Sequence, residues 1–146
     1  MTRGDFYILA GQTQNDQWVF VGKLVEQITR KHHQVLIQVS NQAEAEALDV
    51  FLWTFKPDAF IPHALLNASD APADCPVSIG WLPNNHGHHH DVLINLCEKL
   101  PEFFSRFERL VEVVIQTDNV LNYSREHYRF MKDRGYLIEH KDMRMR

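Results

Sequence analysis

Gln34-Val35-Leu36-Ile37-Gln38-Val39 decides how the rest of the chain is read. It is short, rich in branched side chains and free of Gly and Pro, which predicts a buried strand. On its N-terminal side, Val21, Leu24, Val25 and Ile28 fall at i, i+3, i+4 and i+7. That spacing lays one apolar stripe along a helix, with Asp16 expected as its cap. On its C-terminal side, Asn41 is expected to cap a second helix, in which Leu48, Phe51, Leu52 and Phe55 repeat the spacing. Residues 5–9 (Asp-Phe-Tyr-Ile-Leu) read as a first strand, and residues 10–15 as a polar loop. A strand, a helix, a strand and a helix in succession predict parallel pairing with crossover helices.

Farther along, residues 56–76 read as irregular, with Pro57, Pro62, Pro72 and Pro76. Residues 77–81 and 91–96 read as short strands. Pro101 suits the first turn of a short helix through Phe107. Residues 110–115 (Leu-Val-Glu-Val-Val-Ile) read as a strong buried strand. Asp118 is expected to cap a last long helix to about Arg134, with Gly135 ending it and residues 136–138 adding a strand. The fold class is therefore α/β: a single Rossmann-like domain over residues 1–146, with a mostly parallel sheet and helices on both faces.

Composition narrows the function. The chain has 146 residues, 45% hydrophobic, with a net charge of -4. An acidic balance argues against gripping DNA through phosphates as the main activity. No apolar run suggests a signal peptide or a transmembrane helix. Cys75 and Cys97 form no C-x-x-C, which suits a reducing cytoplasm. Cys97 is expected to be buried, and Cys75, in a loop, exposed.

A nucleotide-binding reading fails on its motifs. The loop after the first strand, Ala10-Gly11-Gln12-Thr13-Gln14-Asn15-Asp16, has one glycine. It matches neither G-x-G-x-x-G nor G-x-x-x-x-G-K-[ST], so the backbone cannot approach a pyrophosphate closely. No G-x-S-x-G elbow is present. His86, His88, His89 and His90 invite a metal, because imidazole ligates Zn²⁺ and Ni²⁺. A Gly-containing loop supplies no fixed geometry, so a solvated loop is the expected state. An α/β enzyme or metal-binding protein using this loop is the alternative function.

The last long helix carries a positive signal. Leu121, Arg125, Tyr128, Arg129 and Lys132 project within roughly one third of its circumference at ~100° per residue. Val120, Ser124 and Met131 lie on the adjoining apolar side. Arginine can clasp a carboxylate through two parallel hydrogen bonds, and a bordering aromatic can hold an apolar side chain. Two readings fit: a solvated face whose Arg stems cover the core edge, or a site for a short acidic peptide with aromatic residues. Trp53 lies off the inner stripe of its helix and is expected to be partly exposed, as binding hot spots often are. Phe60-Ile61-Pro62-His63 is either a surface patch or a satellite of the core.

Taken in order, these stretches resemble the chi subunits of bacterial DNA polymerase III. The resemblance runs through Phe6-Tyr7-Ile8-Leu9, Val35-Leu36-Ile37, Leu48-Asp49, Leu52-Trp53 and Phe60-Ile61-Pro62-His63 with Leu65. It continues through 77–81, 91–96, Arg125-Glu126-His127-Tyr128-Arg129 and Gly135-Tyr136. The resemblance implies a Rossmann-like adaptor with no nucleotide site, no cofactor and no catalysis. It implies two partners: the psi subunit, which links chi to the clamp loader, and the acidic C-terminal tail of single-stranded DNA-binding protein. DNA is then met only indirectly. Trp53, Leu121, Arg125, Tyr128, Arg129 and Lys132 fall at tail-binding positions; Phe60, Pro62 and His63 fall at psi-facing ones. Trp53 is thereby expected to share one pocket with the last helix. Leu121 stands where relatives can carry a basic residue, and the His-rich loop stands where they can be rich in Arg and Ser.

Overall fold

The structure, a computed structural model, describes residues 1–56, 61–66 and 75–144. The chain runs β1 (Arg3–Ile8), α1 (Gln14–Arg30), β2 (Val35–Gln38), α2 (Gln42–Thr54), β3 (His63–Leu65), β4 (Val77–Gly80) and β5 (Val92–Asn95). A 3-10 turn (Glu102–Arg106), β6 (Arg109–Val114), α3 (Asp118–Asp133) and β7 (Leu137–Asp142) follow. One seven-stranded sheet has the order β3-β4-β2-β5-β6-β1-β7. Every described pairing is parallel, as in Phe6 opposite Glu112 and Leu36 opposite Leu93. The expected "mostly parallel" sheet is therefore parallel throughout the described strands.

The central strands β2 and β5 are buried at every position, as a sheet covered on both faces requires. Side chains alternate across β1 and assign the faces. Tyr7 meets Phe20 of α1 at 5.1 Å between ring centroids, and Gln17 of α1 donates to the Val113 carbonyl at 2.9 Å. Phe6, on the other face, meets Tyr128 of α3 at 6.1 Å. Met131 of α3 lies so close over Gly4 that a Cβ there would stand 3.0 Å from its Cε. Helices α1 and α2 thus cover one face and α3 the other. Gly22 lets α1 and α2 touch: a Cβ there would fall 2.8 Å from the Phe55 ring.

Several boundaries move for local reasons. Thr13, not Asp16, caps α1: its hydroxyl accepts from Asp16 N at 3.1 Å, while Asp16 Oδ2 accepts from Thr13 N at 3.2 Å. Thr117, not Asp118, caps α3 by accepting from Val120 N at 3.3 Å. Asn41 caps α2 as expected, accepting from Glu44 N at 2.8 Å. Gly135 ends α3 with φ 79, a left-handed conformation that glycine adopts without penalty. The segment read as irregular contains β3, a three-residue edge strand. The final strand extends to Asp142 because an edge can pair through its backbone without an apolar pattern.

Candidate functional site

Helix α3 turns Val120, Tyr123, Ser124, His127 and Met131 into the core. The 3.6-residue repeat then leaves Arg125, Arg129 and Lys132 exposed along one flank. Among the described residues, none of these three forms an ion pair. Tyr128 is half-buried between them and the sheet. Its ring meets Phe6 edge-on at 87° and packs against His140 of β7 at 4.7 Å. Lys132 Nζ lies 5.8 Å from the same ring, within cation-π range. Leu121 is half-buried against the core, one turn before Arg125. Three exposed cations around a fixed aromatic can receive carboxylates while the ring edge holds an apolar side chain.

The Tyr128 flank is held by a buried polar pair that the sequence reading did not single out. Glu112 of β6 is 1% exposed. His127 Nδ1 lies 3.0 Å from each of its carboxylate oxygens, and Asn95 donates to Oε2 at 2.8 Å. His127 Nε2 reaches the Glu98 carbonyl at 2.8 Å. Burial pushes the Glu112 carboxyl up, against the pull of His127 and Asn95. For His127 burial works against the imidazolium, but the Glu112 hydrogen bond and charge outweigh it and raise its pKa. The signal for this pair was the lone acid inside the apolar run 110–115.

Trp53 does not join this site. It is 45% exposed, as expected, but its ring lies 4.1 Å from that of His63, at β3. Strands β3 and β7 are the opposite edges of the sheet. Six strand spacings at ~4.8 Å separate them by roughly 30 Å, and α2 and α3 lie on opposite faces. The expected shared pocket is therefore two surfaces. His63 is buried and serves as the floor under Trp53, with Nδ1 2.6 Å from the Ile61 carbonyl and Nε2 2.9 Å from that of Asp49. Pro62 is exposed beside it. Phe60 lies outside the described residues.

The histidine loop is not uniformly solvated. His89 is 3% exposed and lies 3.0 Å from the Val35 carbonyl and 2.9 Å from that of Cys75, so both ring nitrogens meet backbone. His86 packs on Phe103 at 5.4 Å, and burial lowers its pKa. No group of three or more His, Cys, Asp or Glu residues that could hold a metal ion occurs among the described residues. Cys75, expected in the open, is buried, with its carbonyl 2.9 Å from His89 Nε2 and its thiol donating to the Val77 carbonyl. Cys97 is buried as expected, and desolvation pushes its thiol up to about 12.

With this geometry in view, comparison with known proteins is decisive. The family described as DNA polymerase III chi subunit, HolC, matches residues 1–139. This chain belongs to the chi subunit family. The chi subunit of Pseudomonas aeruginosa is 33% identical over 139 residues, 95% of both chains. That of Escherichia coli K12 is 30% identical over 141 residues, 93% of this chain and 95% of its own. The chi subunit of Haemophilus influenzae is 30% identical over 132 residues, 90% of each. The fold is also similar to a solved structure, Mss116p DEAD-box helicase domain 2 bound to an RNA duplex, at a TM-score of 0.60 and 11% identity. That likeness covers 94% of this chain and 62% of the helicase chain, and it concerns the α/β architecture alone. No helix among the described residues of this chi-family chain is long and apolar enough to cross a membrane.

Proposed function

We propose that this chain is a non-catalytic accessory subunit of the DNA polymerase III holoenzyme, acting in the cytoplasm as one unit over residues 1–146. Its work is adaptor work on two surfaces. The α3 flank takes the acidic C-terminal tail of single-stranded DNA-binding protein. Arg125, Arg129 and Lys132 receive its carboxylates, and Leu121 and Tyr128 hold its apolar side chains. The β3 edge takes the psi subunit and, through it, the clamp loader. Trp53, whose ring lies 4.1 Å from that of His63, joins Phe60, Pro62 and His63 as a residue for psi.

One observation carries the tail assignment: three exposed cations that form no ion pair among the described residues flank a half-buried Tyr128 that two other rings hold in place. Titration calorimetry with an acidic tail peptide tests it. Arg125→Ala should cost roughly 1.5–3 kcal/mol, the range for a charge-assisted hydrogen bond, and wild-type affinity should fall with added salt. Unchanged affinity in the variant would sink the assignment. Trp53→Ala should leave tail binding intact and weaken capture of psi.

A further inference from the structure

The two flanks of α3 carry opposite chemistry. Opposite the basic ridge, Glu126 and Phe130 look onto the segment between β5 and the 3-10 turn, enclosing a hollow of about 770 Å³. Its walls are apolar: Leu100, Pro101, Phe104 and Phe130. Phe130 is 38% exposed, large for an aromatic on a packed helix, and meets the buried Phe104 at 6.1 Å. Three exposed carboxylates stand on this groove, Glu98, Glu102 and Glu126, beside Lys99 and the His127 ring, whose charge the buried Glu112 already balances. None of the three forms an ion pair among the described residues. At the far end the Arg134 guanidinium sits 3.7 Å from the Phe130 centroid, so this ring already receives a cation on its face.

The segment 98–102 also lines a second hollow of about 640 Å³, which Gln38 and Trp81 share. Gln38 is 3% exposed; its amide donates to the Leu82 carbonyl at 3.0 Å, while Oε1 meets no donor among the described residues. An acceptor buried without a donor is costly, but this oxygen is enclosed against Gly80 and stands apart from the Phe130 groove.

We propose that this groove is a separate docking surface for a partner segment that is basic and apolar, distinct from the acidic-peptide ridge on the other flank of α3. An aliphatic or aromatic side chain would pack over Pro101 and Leu100 against the outer edge of the joined Phe104–Phe130 pair. Lysines or arginines on either side would meet Glu98, Glu102 and Glu126.

The probe is a capped peptide, Lys-Leu-Lys-Phe-Lys-Leu-Lys, titrated into the full chain by NMR, beside a control with every Lys replaced by Glu. Shift changes should concentrate on residues 98–104, 126 and 130, and the Glu control should not reproduce them. The double variant Glu98→Lys/Glu102→Lys should weaken binding by about fivefold or more, and Phe130→Ser comparably. The charge-matched double variant Glu46→Lys/Glu139→Lys, remote from the groove, should bind as wild type does. Shifts scattered over every acidic surface, equal weakening by the remote variant, or no binding at all would overturn the proposal. All these substitutions lie at exposed positions, and the spectrum of each variant reports its fold directly.

Discussion

Glu112 is the single acid in the apolar run 110–115, and a carboxylate 1% exposed is tolerable only because His127 and Asn95 reach it. Both His127 nitrogens face acceptors, which suits a doubly protonated ring. Replacing it by His127→Leu should therefore strand a buried charge and cost about 3–5 kcal/mol in urea unfolding. The pH dependence has a definite sign. A His whose folded pKa is raised contributes stability that is complete below ~6.5 and is lost as pH rises through the folded value. Glu112, also raised, contributes in the same sense from ~4.5 upward. Wild-type melting temperature should thus fall between pH 6 and pH 9 more than that of Glu112→Gln/His127→Gln; parallel curves would refute the linkage. Because Arg125 and Tyr128 flank His127 on α3, loss of the pair should also loosen the flank proposed to take the tail.

At the scale of elements, capping separates what sequence could show from what it could not. Acids near the start of α1 and α3 were visible, but threonine and aspartate are both good caps, and only the backbone decides which one closes the turn. Thr13 closes a two-way box, whereas Thr117 makes a single bond. Thr13→Ala and Thr117→Ala should each cost about 1 kcal/mol, read as a fall in melting temperature of roughly 2–4 °C. Strand β3 was illegible for a different reason. Three residues among prolines have no period to detect, and its place is set by pairing with β4. The buried strands β2, β5 and β6 were legible because both faces are covered and nearly every side chain must be apolar.

The whole molecule separates its two proposed partners. The spacing that placed Arg125, Tyr128 and Arg129 on one flank is local to a helix and readable directly. The company Trp53 keeps is not local: it depends on strand order, which no single stretch encodes. With the surfaces roughly 30 Å apart on opposite faces, psi and the acidic tail should bind together without competing, and saturating one should change the affinity for the other by less than about twofold. Competition in a two-ligand titration would contradict this arrangement. The sheet between them is pinned at Asp5 of β1, fully buried, which meets Arg109 of β6, Arg3, and Lys141 of β7. Asp5→Leu should remove the counter-charge of three cations and destabilise by about 3–5 kcal/mol.

The strand order also fixes how the molecule answers to force. A pull between the β3 edge and the β7 edge travels across the ladder, from strand to strand, so the rungs bear it in series and the weakest one sets the limit. The β3–β4 rung is held by only three paired residues, against six on each side of β1. Under tension it should part first, as a mechanical fuse at the β3 edge, while the β7 edge stays folded. Optical-trap pulling between handles at Ala64 of β3 and His140 of β7 should show a small early step before the main rip; a single rip would mean that the edge carries load as well as the centre.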